Sequence, residues 1–198
     1  MKTLLVITTI TTLSLLVLGG CSTLRSAYAT APYRVTATEG AFELREYPVL
    51  VVAETSMPEL ASRGADGSFG RLFRYISGGN AAQEKIAMTT PVFMTGAGDQ
   101  AAMAFVLPSS VPAARAPQPA DDSVHLREIP SGTFAVYRFS GGRSSAREAD
   151  ARNQLAAWMR SASLAPAGAP VFAYFDPPWT PSFLRRNEVM LRVSSPKL

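Results

Sequence analysis

Apolar residues along this 198-residue chain recur with two different periods. From Phe42 to Tyr47 they alternate, with Phe42, Leu44 and Glu46 on one side and Glu43, Arg45 and Tyr47 on the other. A period of two belongs to a strand. Pro48 closes it, and the run Val49-Leu50-Val51-Val52-Ala53 predicts a second, more buried strand. The spacing then lengthens. Phe69, Leu72, Phe73 and Ile76 lie three and four apart, as on one face of a helix. Ser68 is its expected N-cap and Gly78-Gly79-Asn80 its stop. Strands expected at 86–95 and 102–107 complete a first unit.

Residues 109–121 are rich in Pro and Ala without any period, and read as a linker. The same order of elements then returns. Strands are expected at 124–129 and 134–139, and Gly141-Gly142 interrupts the pattern. A helix follows at 146–161 with Leu155, Trp158 and Met159 on one face, and strands at 171–175 and 188–193 end the chain. The halves also share letters. Leu44-Arg45-Glu46-Tyr47-Pro48 matches Leu126-Arg127-Glu128-Ile129-Pro130 at an offset of 82, which also places Phe73 on Leu155, Ile76 on Trp158 and Phe93 on Phe175. A repeat of this kind predicts an α+β domain of two β-β-α-β-β halves related by a pseudo-twofold axis. The antiparallel strands would curve into a sheet or distorted barrel, with two helices packed outside. A cleft between such halves suits a ligand.

The N-terminus reads differently. Lys2 precedes an uncharged apolar stretch from Leu4 to Leu18, which ends in Gly19-Gly20 before Cys21. This is shorter than the roughly 20 strongly apolar residues of a membrane-spanning helix. It has the charged start, apolar run and small-residue cleavage zone of a secretory signal. The ending Leu18-Gly19-Gly20-Cys21 resembles the lipobox of bacterial lipoproteins, in which the Cys thiol receives a lipid and becomes the new N-terminus. The expected organisation is therefore a signal at 1–20, a small polar tether at 21–32, and one domain at 33–198 with halves 33–108 and 122–198. Ser22 stands where an Asp would resemble an inner-membrane retention signal, so the periplasmic face of the outer membrane is the expected address.

Composition narrows the chemistry. Cys21 is the only cysteine, so the domain is expected to stand without internal disulfides. The formal net charge of +4 is mild and dispersed, without the basic run that tracks a phosphate backbone, which argues against nucleic acid. One histidine, His125, and one cysteine cannot build a nucleophilic triad or a zinc site. A carboxylate such as Glu188 or Glu84 would serve as a general base only if its pKa were raised.

Two segments carry a resemblance. Lys85-Ile86-Ala87-Met88-Thr89-Thr90-Pro91-Val92 is one; Asp176-Pro177-Pro178-Trp179-Thr180-Pro181, leading to Arg185-Arg186-Asn187-Glu188-Val189-Met190, is the other. Both resemble signature stretches of the SOUL family of haem-binding proteins, as does the strand before Ser140-Gly141-Gly142. The resemblance runs from about Tyr33 to Val193. It implies a distorted β-barrel of two similar halves, akin to GyrI-like effector domains, that takes haem or another tetrapyrrole in an apolar groove.

Haem needs an apolar slot, cations for its propionates and often an axial ligand. His125 alternates with Val124 and Leu126 and is expected to face solvent, away from any iron. Glu46 stands where vertebrate relatives have a proposed axial histidine. Met88 and Met190 are candidate thioether donors or pocket walls, although Met on a strand is more often core filling. Tyr174 and Trp179 would stack on a flat ring or simply close the barrel. Arg185 and Arg186 would meet carboxylates, or pair with Glu188 and turn carbonyls. Lys85 is a lone cation at a strand head. The leading expectation is a monomeric, lipid-anchored binding module for haem, a porphyrin or a similar flat amphipathic molecule. The alternatives are an interaction lipoprotein without a ligand and a small GyrI-like hydrolase.

Overall fold

The structure is a computed structural model that describes residues 28–57 and 67–194. The signal at 1–20 and Cys21 lie outside the described residues. The strands are β1 (Ala29–Thr30), β2 (Arg34–Glu39), β3 (Phe42–Tyr47), β4 (Leu50–Ser56), β5 (Thr89–Thr90), β6 (Val92–Thr95), β7 (Ala102–Val106), β8 (Val124–Ile129), β9 (Gly132–Phe139), β10 (Pro166–Tyr174) and β11 (Asn187–Val193). Helix α1 is Ser68–Ile76 and helix α2 is Ser145–Ser161. β1 and β5 form a short parallel pair, and the other nine strands form one antiparallel sheet in the order β2-β3-β9-β11-β10-β6-β7-β4-β8.

That order contains the repeat. From β3 to β8, reading from either end meets equivalent strands in the same sequence, with β6 beside its counterpart β10 at the centre. Each half lends its first strand to the other: β3 pairs with β9, and β8 pairs with β4. The offset of 82 survives in the register, since Leu44 opposes Ala135 and the equivalent Leu126 opposes Ala53. The sheet does not close into a barrel: β2 and β8 are open edges.

Burial follows from the alternation of side chains across the sheet. Both helices cover the same face. Under α1 lie Ala53, Met103 and Phe105, and under α2 lie Ala135 and Val189. The equivalent alanines Ala53 and Ala135 are fully buried, and their small side chains let each helix approach closely. The opposite face curls onto itself and is filled by Tyr47, Leu50, Val52, Phe93, Phe134, Val136, Phe175 and Met190. The long segment at 109–121 is not a bare linker. It contains a short turn of helix at Ala113–Arg115, buries Ala116, and accepts a hydrogen bond from Tyr75 Oη at the Pro117 carbonyl (2.9 Å).

Several local expectations change. Ser68 is not the N-cap; Gly67 is, with φ of +79°, and Ser68 is a buried first residue whose hydroxyl points at Met103 Sδ (3.7 Å). Ser144 does cap α2, accepting from the Arg147 N–H. The strand expected at 86–95 divides into β5 and β6 around Pro91, which has no N–H to give a ladder. The last residues of the expected tether enter the fold: β1 pairs with β5, and Ala31 is buried. β2 has no counterpart in the sequence reading, because all six of its side chains are exposed and leave no apolar alternation.

Candidate ligand-binding cleft

The polar side of β3 faces inward. Arg45 sits between Glu43 and Tyr47 on the self-packed face and is fully buried, as is Glu188 on β11. Arg45 donates to Glu188 Oε2 (2.6 Å) and Oε1 (2.9 Å), to Glu43 (2.7 Å) and to Tyr47 Oη (3.3 Å). Arg186 completes the carboxylate's shell at 2.6 and 2.9 Å, and its guanidinium lies 4.1 Å from the Phe175 ring centroid. Arg138 on β9 donates to Glu43 (2.6 Å) and stands 3.7 Å from Glu188. Such burial is tolerable only because each charge is paired and hydrogen-bonded.

Burial alone would push the Glu188 carboxyl up, but the hydrogen bonds and charges of Arg45 and Arg186 outweigh it and hold it below its ordinary range. The Arg45 guanidinium is likewise held above its ordinary value: burial opposes its charge, and Glu188 overcomes that. Tyr47 is pushed up to about 12, chiefly by burial. These shifts remove Glu188 as a general base, since a low-pKa carboxylate locked by two arginines has no drive to take a proton. Glu84 is exposed on a turn, where its backbone bonds to the Asn80 side chain.

Next to this network an open cleft of about 770 Å³ lies between the end of β9, the start of α2 and the segment before β11. Tyr137, Phe139 and Phe183 provide aromatic wall, and Arg138, Arg147, Arg185 and Arg186 border it against a single carboxylate, Asp150. Behind the wall the rings form a stack. Trp158 lies on Phe42 (5.1 Å), Phe42 on Tyr137 (4.8 Å), and Tyr137 on Phe139 (6.2 Å). The Trp158 indole N–H donates to Glu39 (2.8 Å), which fixes the far end. Arg147 donates to the Gly142 carbonyl at 2.6 Å, so the glycine break before α2 holds a cation at the rim.

Of the residues singled out from sequence, only Arg185 and Arg186 line this cleft. Arg186 divides itself between the cleft and Glu188, whereas Arg185 is turned onto the Thr180 and Pro178 carbonyls. Met190 is core, not pocket wall, and its sulfur accepts from Tyr47 Oη (3.5 Å). Met88 packs against the α1 cluster. Tyr174 donates to Glu148 (2.5 Å), and burial together with that bond raises its pKa. Lys85 is exposed. Trp179 is 76 % exposed on the loop before β11. His125 is exposed opposite Glu54 on β8, at the far edge of the sheet. Glu46 forms a surface ion pair with Arg34.

Arg138, Arg147, Tyr137 and Phe183 escaped sequence reading because they come from separate elements. The one available signal was position: Arg138 and Phe139 stand just before the glycine break, with Ser140 between. Among the described residues no group of three or more His, Cys, Asp and Glu side chains could hold a metal ion, and no helix is long and apolar enough to cross a membrane.

This donor set matches the edge of a tetrapyrrole better than its centre. Guanidiniums beside aromatic rings suit a flat molecule bearing carboxylates. For an iron, the lining offers only the Tyr137 hydroxyl among the usual haem ligands, on a ring that stacks with Phe42 and Phe139.

Solved structures share the architecture. The chain is similar to the EcmrR protein in complex with DNA (16 % identity, TM-score 0.58), covering 78 % of this chain and 57 % of that one. It is also similar to the isolated EcmrR C-terminal domain (15 %, TM-score 0.53; 82 % and 98 %) and to a hydrolase from Listeria innocua (12 %, TM-score 0.60; 80 % and 94 %). These likenesses show a shared fold alone. No curated protein matches the sequence. The family described as SOUL heme-binding protein matches residues 28–192, and the chain belongs to that family. It is a family of binding proteins, not of enzymes.

Proposed function

We propose that this protein is a lipid-anchored envelope protein that holds a tetrapyrrole, or a similarly flat anionic molecule, in the arginine-bordered cleft beside α2. The observation that carries this reading is the cleft's composition, with four guanidiniums around Tyr137, Phe139 and Phe183. The family supplies the ligand class. Arg138, Arg147 and Arg186 would meet carboxylates, and the aromatic wall would take one face of the ring. Haem, when bound, supplies redox and ligand-binding chemistry; these residues bind and orient its edge. Recognition therefore rests on the porphyrin's shape and charge, and does not depend on iron.

Anchoring follows from Leu18-Gly19-Gly20-Cys21, and Ser22 favours the periplasmic face of the outer membrane. The test is a paired titration of haemin and metal-free protoporphyrin into the chain from residue 21 onward with Cys21→Ser. Both are expected to give shifted Soret bands at near-stoichiometric ratio. No shift with either would end the proposal, and binding of haemin alone would overturn its iron-independence.

A further inference from the structure

The loop between β10 and β11 displays two large aromatic side chains to solvent. Trp179 is 76 % exposed and Phe183 75 % exposed. Phe183 borders the cleft, so a ligand there would cover it; Trp179 does not. Exposed aromatics on a slack loop would fold back onto the surface. This loop is held. Arg185 donates to the carbonyls of Thr180 (2.7 Å) and Pro178, and Asp176 accepts the Arg186 N–H (2.6 Å) to close the base.

The tip's backbone is also partly satisfied from within. Pro177, Pro178 and Pro181 have no N–H. The Thr180, Leu184 and Arg185 N–H groups bond to the carbonyls of Pro177, Pro181 and Ser182 at 3.0, 2.9 and 3.2 Å. A segment that meets its own hydrogen bonds loses little on leaving water. Tryptophan favours the boundary between headgroups and acyl chains, and basic residues beside it favour acidic lipids. Arg147, Arg138 and Arg186 lie around the adjoining cleft.

The path of the chain points the same way. Ala31 N–H donates to the Thr90 carbonyl (2.8 Å), and Val92 lies opposite Tyr174, just before the loop. Tyr33 Oη accepts from Arg186 at the loop's end (3.3 Å). The N-terminal lead-in and the aromatic loop therefore share one end of the molecule. From Cys21 to Tyr28 a fully extended chain reaches at most about 25 Å.

We infer that the 176–186 loop docks on an anionic lipid surface, seating Trp179 in the headgroup region with the cleft mouth turned toward it. The orientation rests on the lipid anchor at Cys21; the loop's affinity for lipid does not. The test object is the proposed mature chain from residue 21, unlipidated and carrying Cys21→Ser.

Phosphatidylglycerol-containing vesicles and pure phosphatidylcholine vesicles would be added to it, with Trp179 emission read in a Trp158→Phe background. A blue shift and co-sedimentation are expected with the anionic vesicles, weakened about tenfold or more by Trp179→Ser and by added salt. Absence of vesicle binding, or binding unchanged by Trp179→Ser, would overturn the inference. So would Trp179→Ser lowering porphyrin affinity while leaving vesicle binding intact, or converting a solution dimer to a monomer without lipid binding. Mass spectrometry of the membrane-extracted protein tests the anchor separately. A Cys21 without lipid would remove the orientation while the vesicle result stood.

Discussion

Arg45 and Glu188, 143 positions apart in sequence, form a two-pronged ion pair of 2.6 and 2.9 Å in which neither side chain is exposed. The pair ties β3 to β11 across the strand between them, β9. Removing one partner leaves the other charge buried and uncompensated. Glu188→Gln is expected to lower stability by about 3–5 kcal/mol in urea unfolding. The Arg45→Met/Glu188→Leu double variant is expected to recover part of that loss, because apolar replacements carry no desolvation cost.

The same carboxylate sets an acid response. Its folded pKa lies below its ordinary value of 4.5, so it contributes stability that is fully present above about 4.5 and is lost as pH falls through the folded value. Wild-type stability is therefore expected to drop below pH 4.5 more steeply than that of Glu188→Gln. Urea midpoints measured from pH 7 down to pH 3 check this; parallel curves would contradict it.

In the cleft, Arg147 is the cation whose loss disturbs the fold least, since it is exposed and its bond is to the Gly142 carbonyl alone. Arg147→Ala is expected to weaken porphyrin binding about five- to tenfold with little change in thermal midpoint. Raising salt from 50 to 500 mM is expected to reduce wild-type affinity by more than it reduces that of the variant. Fluorescence titration of protoporphyrin reads both.

Gly141 offers an indirect route to the same cation. Its φ is +113°, and a Cβ there would come within 2.7 Å of the Arg147 guanidinium. Gly141→Ala is expected to displace Arg147 from the rim, lowering porphyrin affinity as much as Arg147→Ala does and adding about 1 kcal/mol or more of destabilisation.

The repeat was legible because four matched letters in five positions fix an offset that the register then obeys, Leu44 with Ala135 and Leu126 with Ala53. The exchange of first strands between halves was not, since alternation shows that a segment is a strand and not which strand it meets. The burial of Arg45 was not legible, because its partners Glu188 and Arg186 lie more than a hundred residues away. The cleft was legible only at Arg185 and Arg186, as its other cations sit on β9 and α2. Met190 and Tyr174 were drawn toward a ligand by family resemblance and are spent on core packing and on Glu148.

The exchange of β3 and β8 has a consequence for how this chain can be divided. A half-length polypeptide cut within 109–121 would hold a second strand whose neighbour it does not possess. It could complete its sheet only by borrowing that strand from another copy, giving a symmetric homodimer with β6 against β6 where the intact chain sets β6 against β10. The connecting segment is thus a stoichiometric device. It makes one molecule out of what would otherwise be two, and so frees the second half to place Arg138 and Arg186 where the first half carries Ser56 and Ala104.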